Sequence, residues 1–317
     1  MKVSLVVPVF EEEAIIEDTI SCLTQVLESV TKSYEIIFCL DPGKDKTFQK
    51  LKTANLNNPA IKTLLFSRRF GQPAATLAGL NYAIGDYTCV FDADLQDPPE
   101  LILQMLDECQ KGYDVVLATR MSRDGETRSR KFLAKIAYKL IDRASDLEIP
   151  KNTGDCRMFS RRALNNLLTT QDQDAFLRGM TSYIGFNQTQ IYFNRKARQK
   201  GETKYNSHTG SLRIGLNGLI GYSTKPLTYL ALMGVATSIF SLCLATYFLI
   251  AKFLFDQYTP GLSTMGILIT FFSGLQIFGI GLLGEYVGRI YSEVRKRPIY
   301  IVQELIGDFS QDGGPKI

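Results

Sequence analysis

The sequence predicts an α/β domain on a mostly parallel sheet, continued by two C-terminal transmembrane helices. Three observations carry that prediction. Strand-like and helix-like stretches alternate from Val3 to Thr119, the βα repeat of a sheet covered on both faces. An acidic block, Asp92-Ala93-Asp94-Leu95-Gln96-Asp97-Pro98-Pro99-Glu100, leaves the fourth strand at its carboxyl end, where open α/β sheets place ligands. Two uncharged apolar runs, Leu227 to Ala251 and Thr264 to Gly284, each reach the roughly 20 residues needed to cross a bilayer.

The elements follow in chain order. Val3 to Val9 is an apolar first strand, and Glu11-Glu12-Glu13 opens a helix to about Val30, with carboxylates at its positive end. Tyr34 to Leu40 is a second strand, turned by Asp41-Pro42-Gly43, and a helix covers about Asp45 to Asn55. Ile61 to Phe66 is the third strand and Gln72 to Ile84 an alanine- and leucine-rich helix. Tyr87 to Phe91, aromatic and β-branched, forms the fourth strand. Pro98-Pro99-Glu100 starts the next helix, to Lys111, and Tyr113 to Thr119 is a fifth strand. Ala175 to Gly185 reads as a helix and Gln188 to Phe193 as a strand.

Composition narrows the function classes. With 317 residues, 45% of them hydrophobic, there is ample material for a core, and the net charge of +4 says little by itself. The six cysteines include no Cys-x-x-Cys pair, which disfavours zinc and a disulfide framework and fits a reducing compartment. The N-terminal apolar run is too short for a signal peptide. No Gly-x-Gly-x-x-Gly or Gly-x-x-x-x-Gly-Lys-Ser/Thr loop is present, against a dinucleotide fold or an ATPase, and nothing points to nucleic acid.

Asp92 and Asp94, spaced i, i+2, can reach one cleft if the turn between them is not extended. Magnesium and similar hard cations bind one or two carboxylates together with substrate phosphates. A solvated acidic turn is the other reading of the same residues.

A family resemblance is carried by Val7-Pro8-Val9-Phe10-Glu11-Glu12-Glu13, by Leu65-Phe66-Ser67-Arg68-Arg69-Phe70-Gly71-Gln72-Pro73-Ala74-Ala75 and by the acidic block. Together they resemble the family 2 glycosyltransferases, in particular the polyprenyl-phosphate group that includes bactoprenol glucosyltransferases and dolichol-phosphate mannose synthases. The second-strand turn departs from the usual Asp-Asp-Gly-Ser, reading Leu40-Asp41-Pro42-Gly43, and Phe10 and Glu11 replace the more usual Tyr and Asn. The resemblance implies a glycosyltransferase-A (Rossmann-like) catalytic domain binding a nucleotide-sugar. It implies Pro8, Phe10, Glu12 and Asp41 in the nucleoside pocket, Asp92 on the ribose or a Mg2+ or Mn2+ ion, Asp94 on that metal, and Gln96 near the sugar. For Pro8 and Phe10, strand termination and core packing are an equal reading.

The acceptor side follows the fifth strand. Arg120 and Arg123, just past a strand end, suit phosphate, which guanidinium meets bidentately. Leu133, Ile136, Ala137, Leu140 and Ile141 give an amphipathic helix, about 128–145, with a cationic face suited to a membrane surface. A second interfacial helix is expected at about 208–222. Asn152-Thr153-Gly154-Asp155-Cys156-Arg157 resembles the turn bearing the family's second active-site carboxylate, here Asp155, expected to orient acceptor or sugar rather than to remove a proton. The basic stretch 195–205 resembles a loop over the diphosphate, with Arg198 and Lys204 on phosphates.

The domain plan is therefore 1–225 catalytic, 226–290 a transmembrane hairpin and 291–317 a C-terminal tail. Gly274, Gly281, Gly284 and Gly288 share one helix face, a route to close packing within the hairpin and to self-association of copies. Glu285 and Arg289 can pair at i, i+4. Lys and Arg flank the hairpin at its outer ends, which puts both termini and the catalytic domain in the cytoplasm, at the cell membrane. The expected activity is inverting transfer of a hexose, glucose from UDP-glucose first, to undecaprenyl phosphate. GDP-mannose with dolichyl phosphate and other UDP-sugars are the alternatives, and a catalytically silent membrane scaffold and a channel are the rivals of other classes.

Overall fold

The computed structural model describes residues 1–121, 150, 153–170, 175–194, 223–255 and 261–309. Arg123, Arg198, Lys204, both amphipathic stretches and the 256–260 connector lie outside the described residues. Two compact units divide the chain: one contains the sheet and its helices and takes in the segment from Arg297 onward, the other contains the two long apolar helices.

The sheet unit has eight strands among the described residues: β1 (Val3–Val9), β2 (Tyr34–Leu40), β3 (Ile61–Phe66), β4 (Tyr87–Val90), β5 (Val115–Arg120), β6 (Thr153–Ser160), β7 (Gln188–Phe193) and β8 (Val302–Ile306). Their order is β7-β5-β6-β4-β1-β2-β3-β8. β3, β2, β1 and β4 run parallel, while β6 and β8 are antiparallel to their neighbours. Helices α1 (Ile16–Glu28), α2 (Thr47–Asn57), α3 (Gln72–Tyr82) and α4 (Leu101–Gln110) are the crossovers. Two short helices follow, α5 (Arg161–Thr169) after β6 and α6 (Leu177–Tyr183) before β7. The central strands are buried on both faces, which is why Val3–Val9 reads as a continuous apolar run rather than an alternating one.

Chain direction reverses its progress across the sheet between β1 and β4, and Pro8 sits at that point. The Val6 carbonyl accepts from the Phe91 amide on the β4 side, and β4 pairs no further than Val6. Alternate strand residues direct their backbone to the same neighbour, so the missing N–H of Pro8 faces a ladder that has already ended. A proline in a central strand therefore loses no sheet hydrogen bond here, and it marks the mouth of the crevice between the two strand ends.

Several elements differ from the sequence reading. The acidic run Glu11–Glu13 does not open a helix, because it clasps the turn after β2 instead. The Glu12 amide donates to Thr47 Oγ1, the Glu13 amide to Asp45 Oδ2, and the Lys46 amide to Glu13 Oε2. Glu11 takes φ 51° and α1 starts only at Ile16. The segment around Asp155 is a strand, not a turn: β6 lies between β4 and β5, a slot that the residues Thr153–Ser160 do not announce locally. The residues after the second long helix are not only a tail, since Val302–Ile306 adds an antiparallel strand to the β3 edge.

In the other unit, α7 (Lys225–Phe255) and α8 (Leu262–Arg295) are 31 and 34 residues long. Both are long and apolar enough to cross a membrane. Glu285 and Arg289 come within 3.9 Å, as their spacing predicts. The contact between the helices uses Gly279, where an added Cβ would meet Leu230 at 3.3 Å. Around Gly274, Gly281, Gly284 and Gly288 an added Cβ would meet nothing within 4 Å, so that stripe is not the packing seam of this hairpin.

Candidate active site

The carboxyl ends of β1, β2 and β4 carry the residues expected on the donor side: Pro8 and Phe10, Asp41, and the acidic turn from Asp92. Ala93 is buried while Asp92 and Asp94 are both half-exposed, so the turn shows its two carboxylates and hides the residue between them. The buried Thr19 hydroxyl of α1 donates to the Ala93 carbonyl at 2.8 Å and pins the turn from behind. Asp94 Oδ1 accepts the Gln96 amide at 3.2 Å, across Leu95 at φ 51°. A non-glycine residue in that region is uncommon and is held there by its surroundings. Asp92 Oδ1 accepts from Gln72 Nε2 at 3.0 Å, which ties the start of α3 to the acidic turn.

Asp41 does something the sequence does not reveal. Its two carboxylate oxygens accept the amides of Phe70 and Gly71, each at 2.9 Å, and it is 2% exposed. Its observed work is to order the loop after β3, which turns through Gly71 at φ 91°. That loop sets Arg69 over the Phe10 ring at 3.8 Å and Arg68 over the Phe70 ring at 4.0 Å. Phe10 is half-exposed at the crevice. Glu12 is half-exposed beside it and spends its backbone amide on the clasp to Thr47.

The second carboxylate comes from the neighbouring strand. β4 and β6 are antiparallel, and their pairing ends with Val90 opposite Arg157, so Asp92, two residues past Val90, and Asp155, two before Arg157, lie toward the same end of the pair. Adjacent strands lie ~5 Å apart, so two acidic centres widely separated in sequence share one sheet end. Arg178 of α6 donates to Asp155 Oδ1 from Nε at 3.1 Å and from Nη2 at 3.0 Å. Burial alone would raise the Asp155 pKa, but Arg178, Arg157 and Arg120 together outweigh it and hold the carboxyl below its usual range.

Arg157 is fully buried and supports this strand from below. Its guanidinium donates to the carbonyls of Gly154 and Leu177 and to Thr181 Oγ1, at 2.9 Å, 3.2 Å and 2.9 Å. Burial lowers its pKa to about 10, so it stays charged at neutral pH. Arg120, expected to meet phosphate, lies with Nη2 3.9 Å from Oδ1 of the fully buried Asp97. It adds positive charge to the Asp155 region from the end of β5.

Pro8, Phe10, Glu12, Asp92, Asp94 and Gln96 are half-exposed at or just beyond the carboxyl ends of β1 and β4, Asp41 is buried at the end of β2 on the loop it orders, and Asp155 and Arg120 stand on β6 and β5. The sequence reading missed Gln72, Asp97 and Arg178. Asp97 lies inside the acidic block and could have been picked out there. Arg178 gives no local signal, since it is an ordinary helix residue 23 positions from its partner.

Residues 4–168 match the family described as glycosyl transferase family 2. The chain belongs to that family. An uncharacterized glycosyltransferase of Synechocystis is 38% identical over 97% of this chain and 96% of its own length. A prophage bactoprenol glucosyl transferase homolog of Escherichia coli is 33% identical over 96% of this chain and 99% of its own. Among solved structures, a glucosyl-3-phosphoglycerate synthase of Mycobacterium tuberculosis, in complex with Mn2+, UDP and glucosyl-3-phosphoglycerate, is 19% identical, covering 69% of this chain and 79% of its own at a TM-score of 0.45. The sheet is that of a family 2 enzyme with a glycosyltransferase-A fold, mostly parallel with one antiparallel strand next to β4.

The donor set of the family 2 acidic turn fits a hard divalent cation. Two carboxylates project from one turn, and among the described residues no group of three or more His, Cys, Asp or Glu side chains forms a metal cage. Such a half-built oxygen site suits an ion that completes its shell with water and substrate phosphate.

Proposed function

We propose that this chain transfers a hexose, with glucose from UDP-glucose the first choice, to undecaprenyl phosphate with inversion at the anomeric carbon. The observation that carries this reading is the pairing of β4 with β6, which leaves the Asp92–Asp94 turn and the Asp155–Arg178 couple toward one end of adjoining strands. Relatives named bactoprenol glucosyl transferase, alike over nearly their whole length, support the lipid acceptor. The apolar helices α7 and α8 would hold the chain at the membrane where such a lipid resides.

The proposed reaction is a direct displacement. A lipid phosphate oxygen forms the new bond to the anomeric carbon as the bond to the nucleoside diphosphate breaks. Asp92 and Asp94 would hold Mg2+ or Mn2+, which supplies Lewis-acid neutralisation of the departing diphosphate. Phe10 and Arg69 would flank the nucleobase, with Pro8 and Glu12 at the pocket edge and Gln96 near the sugar. Asp41 would act through the loop that it orders. Arg120 and Arg123, with Arg198 and Lys204, would offset the repulsion between the two phosphorylated reactants, a preorganised electrostatic contribution. Asp155 keeps Arg178 oriented and needs to take no proton, because a phosphate monoester loses its second proton near pH ~6.

The test is a transfer assay with full-length protein, undecaprenyl and dolichyl phosphates, and a panel of labelled UDP- and GDP-sugars. Glucose transfer to undecaprenyl phosphate from UDP-glucose is the expected result. Mannose transfer from GDP-mannose alone overturns the donor, and no transfer with any donor overturns the enzymatic reading in favour of a silent scaffold.

The topology is proposed with both termini and the catalytic domain cytoplasmic, because Arg289, Arg295, Lys296 and Arg297 follow the second apolar run and Lys225 precedes the first. In a cysteine-free background in intact cells, a cysteine placed in the 256–261 connector should label from outside and one at Lys296 should not. Labelling of the connector only after permeabilisation reverses the orientation.

A further inference from the structure

The segment after α8 packs against the loop that the donor reading depends on. Tyr300 is half-buried, its ring 6.0 Å from the fully buried Phe66 at the end of β3. Phe66 meets Phe70 edge-on at 6.1 Å. The Ile301 carbonyl accepts the Ser67 amide at 3.0 Å, the first backbone bond of the loop beyond β3. The pairing of β3 with β8 shifts register between Leu65 and Phe66, just where the loop departs. Asn81 of α3, the helix whose first residue, Gln72, holds Asp92, lies near Tyr300.

Ser67–Gln72 is thus held from two sides. On the crevice side, Asp41 accepts the amides of Phe70 and Gly71. On the edge side, Tyr300 supports Phe66 and, through it, Phe70. The loop presents Arg69 over Phe10 and Gln72 to Asp92, two contacts at the donor crevice. Farther along the same edge, Phe309 packs on Tyr82 at 5.4 Å and beneath Lys62 at 5.1 Å, away from the loop.

We propose that Tyr300 is a positioning residue for donor binding: its ring, docked on Phe66, fixes the Ser67–Gln72 loop so that Arg69 and Gln72 stand at the nucleotide crevice. The inference rests on the reading of that crevice as a nucleotide-sugar site. It gives the strand after α8 a task beyond covering a sheet edge. A loop that must be ordered by binding weakens the bound state, and a loop ordered beforehand does not.

The experiment uses the full-length protein and three substitutions, Y300A, Y300F and F309A. Y300A should raise the donor KM about tenfold, the effect of one lost aromatic contact, with kcat changed less than about twofold. Y300F keeps the ring and should retain the wild-type KM. F309A loosens the same edge away from the loop and should also retain it. Hydrogen exchange at the Phe70 and Gly71 amides, measured without nucleotide, should accelerate in Y300A and stay slow in Y300F and F309A. This readout does not depend on what the crevice binds, so loss of the donor reading and loss of the loop reading give different results. If Y300A does not fold, Y300L, which keeps apolar volume and loses the ring contact, carries the same expectations. Unchanged exchange at the two amides in Y300A or Y300L overturns the proposal, as does an equal rise in KM for F309A.

Discussion

Asp94→Asn is expected to lower hexose transfer about a hundredfold to a thousandfold while the fold is kept. Neutralising a departing diphosphate through a metal is worth several kcal/mol, and each ~1.4 kcal/mol is a factor of ten in rate. The amide of asparagine retains an oxygen that can accept the Gln96 amide, as Asp94 does at 3.2 Å, so the turn should persist with its metal charge partner gone. Thr19 still pins Ala93 from behind, which is a second reason for the turn to hold. The measurement is transfer rate against magnesium or manganese concentration, with the unfolding midpoint as control. Near-wild-type transfer by the variant at limiting metal would overturn the metal assignment, and a lowered unfolding midpoint would show that the turn, not the charge, had been lost.

The second large effect is at Asp155. Arg178, Arg157 and Arg120 hold this carboxyl below the ordinary carboxylate range, against burial, which by itself pushes the other way. A depressed carboxylate pKa means that the ion pair is in place above the unfolded value of about 4 and is lost only as pH falls through the lower folded value. Asp155 is therefore ionised throughout the range near pH ~6 in which the lipid phosphate titrates. Asp155→Asn should lose activity by removing the charge that holds Arg178, since the amide oxygen can still accept the two hydrogen bonds, at 3.0 Å and 3.1 Å, but no longer as an ion pair, and the variant's pH–rate profile should keep the wild-type acidic limb. Arg178→Lys should recover little of an Arg178→Met loss, since an ammonium cannot reproduce a guanidinium fork. The double variant should lose less than the sum of the singles, because the two side chains act as one unit. Disappearance of the acidic limb in Asp155→Asn would make Asp155 a general base and end this account of the acceptor.

The β-strands that form the parallel core were legible because each is a short apolar run between turn residues, and Ile61–Phe66 falls where the sequence places it, as does the more polar edge strand Gln188–Phe193. Strand β6 was harder to read. Its glycine, aspartate and arginine mask the period, and Arg157 is tolerated only because carbonyls and Thr181 from α6 and β6 satisfy it after folding. Helix starts were misplaced where carboxylates had a better use: Glu13 and Asp45 bond the backbone of each other's turns.

What the sequence determined by itself is the alternation of strands and helices, the acidic turn at a strand end and the two apolar helices, because each is written in residues adjacent along the chain. Hydrophobic period, turn chemistry and apolar length are local quantities. Tertiary structure alone decided which carboxylates would share a site and what would hold them. Asp155 is brought to the Asp92 end of β4 by the pairing of β6, Arg178 reaches Asp155 across 23 residues, and Asp41 is turned to the amides of Phe70 and Gly71. The strand after α8 reaches β3 across most of the chain, Leu64 pairing with Leu305. Such pairings are set by burial and by the need to satisfy every buried polar group at once, conditions that exist only when the whole sheet has formed.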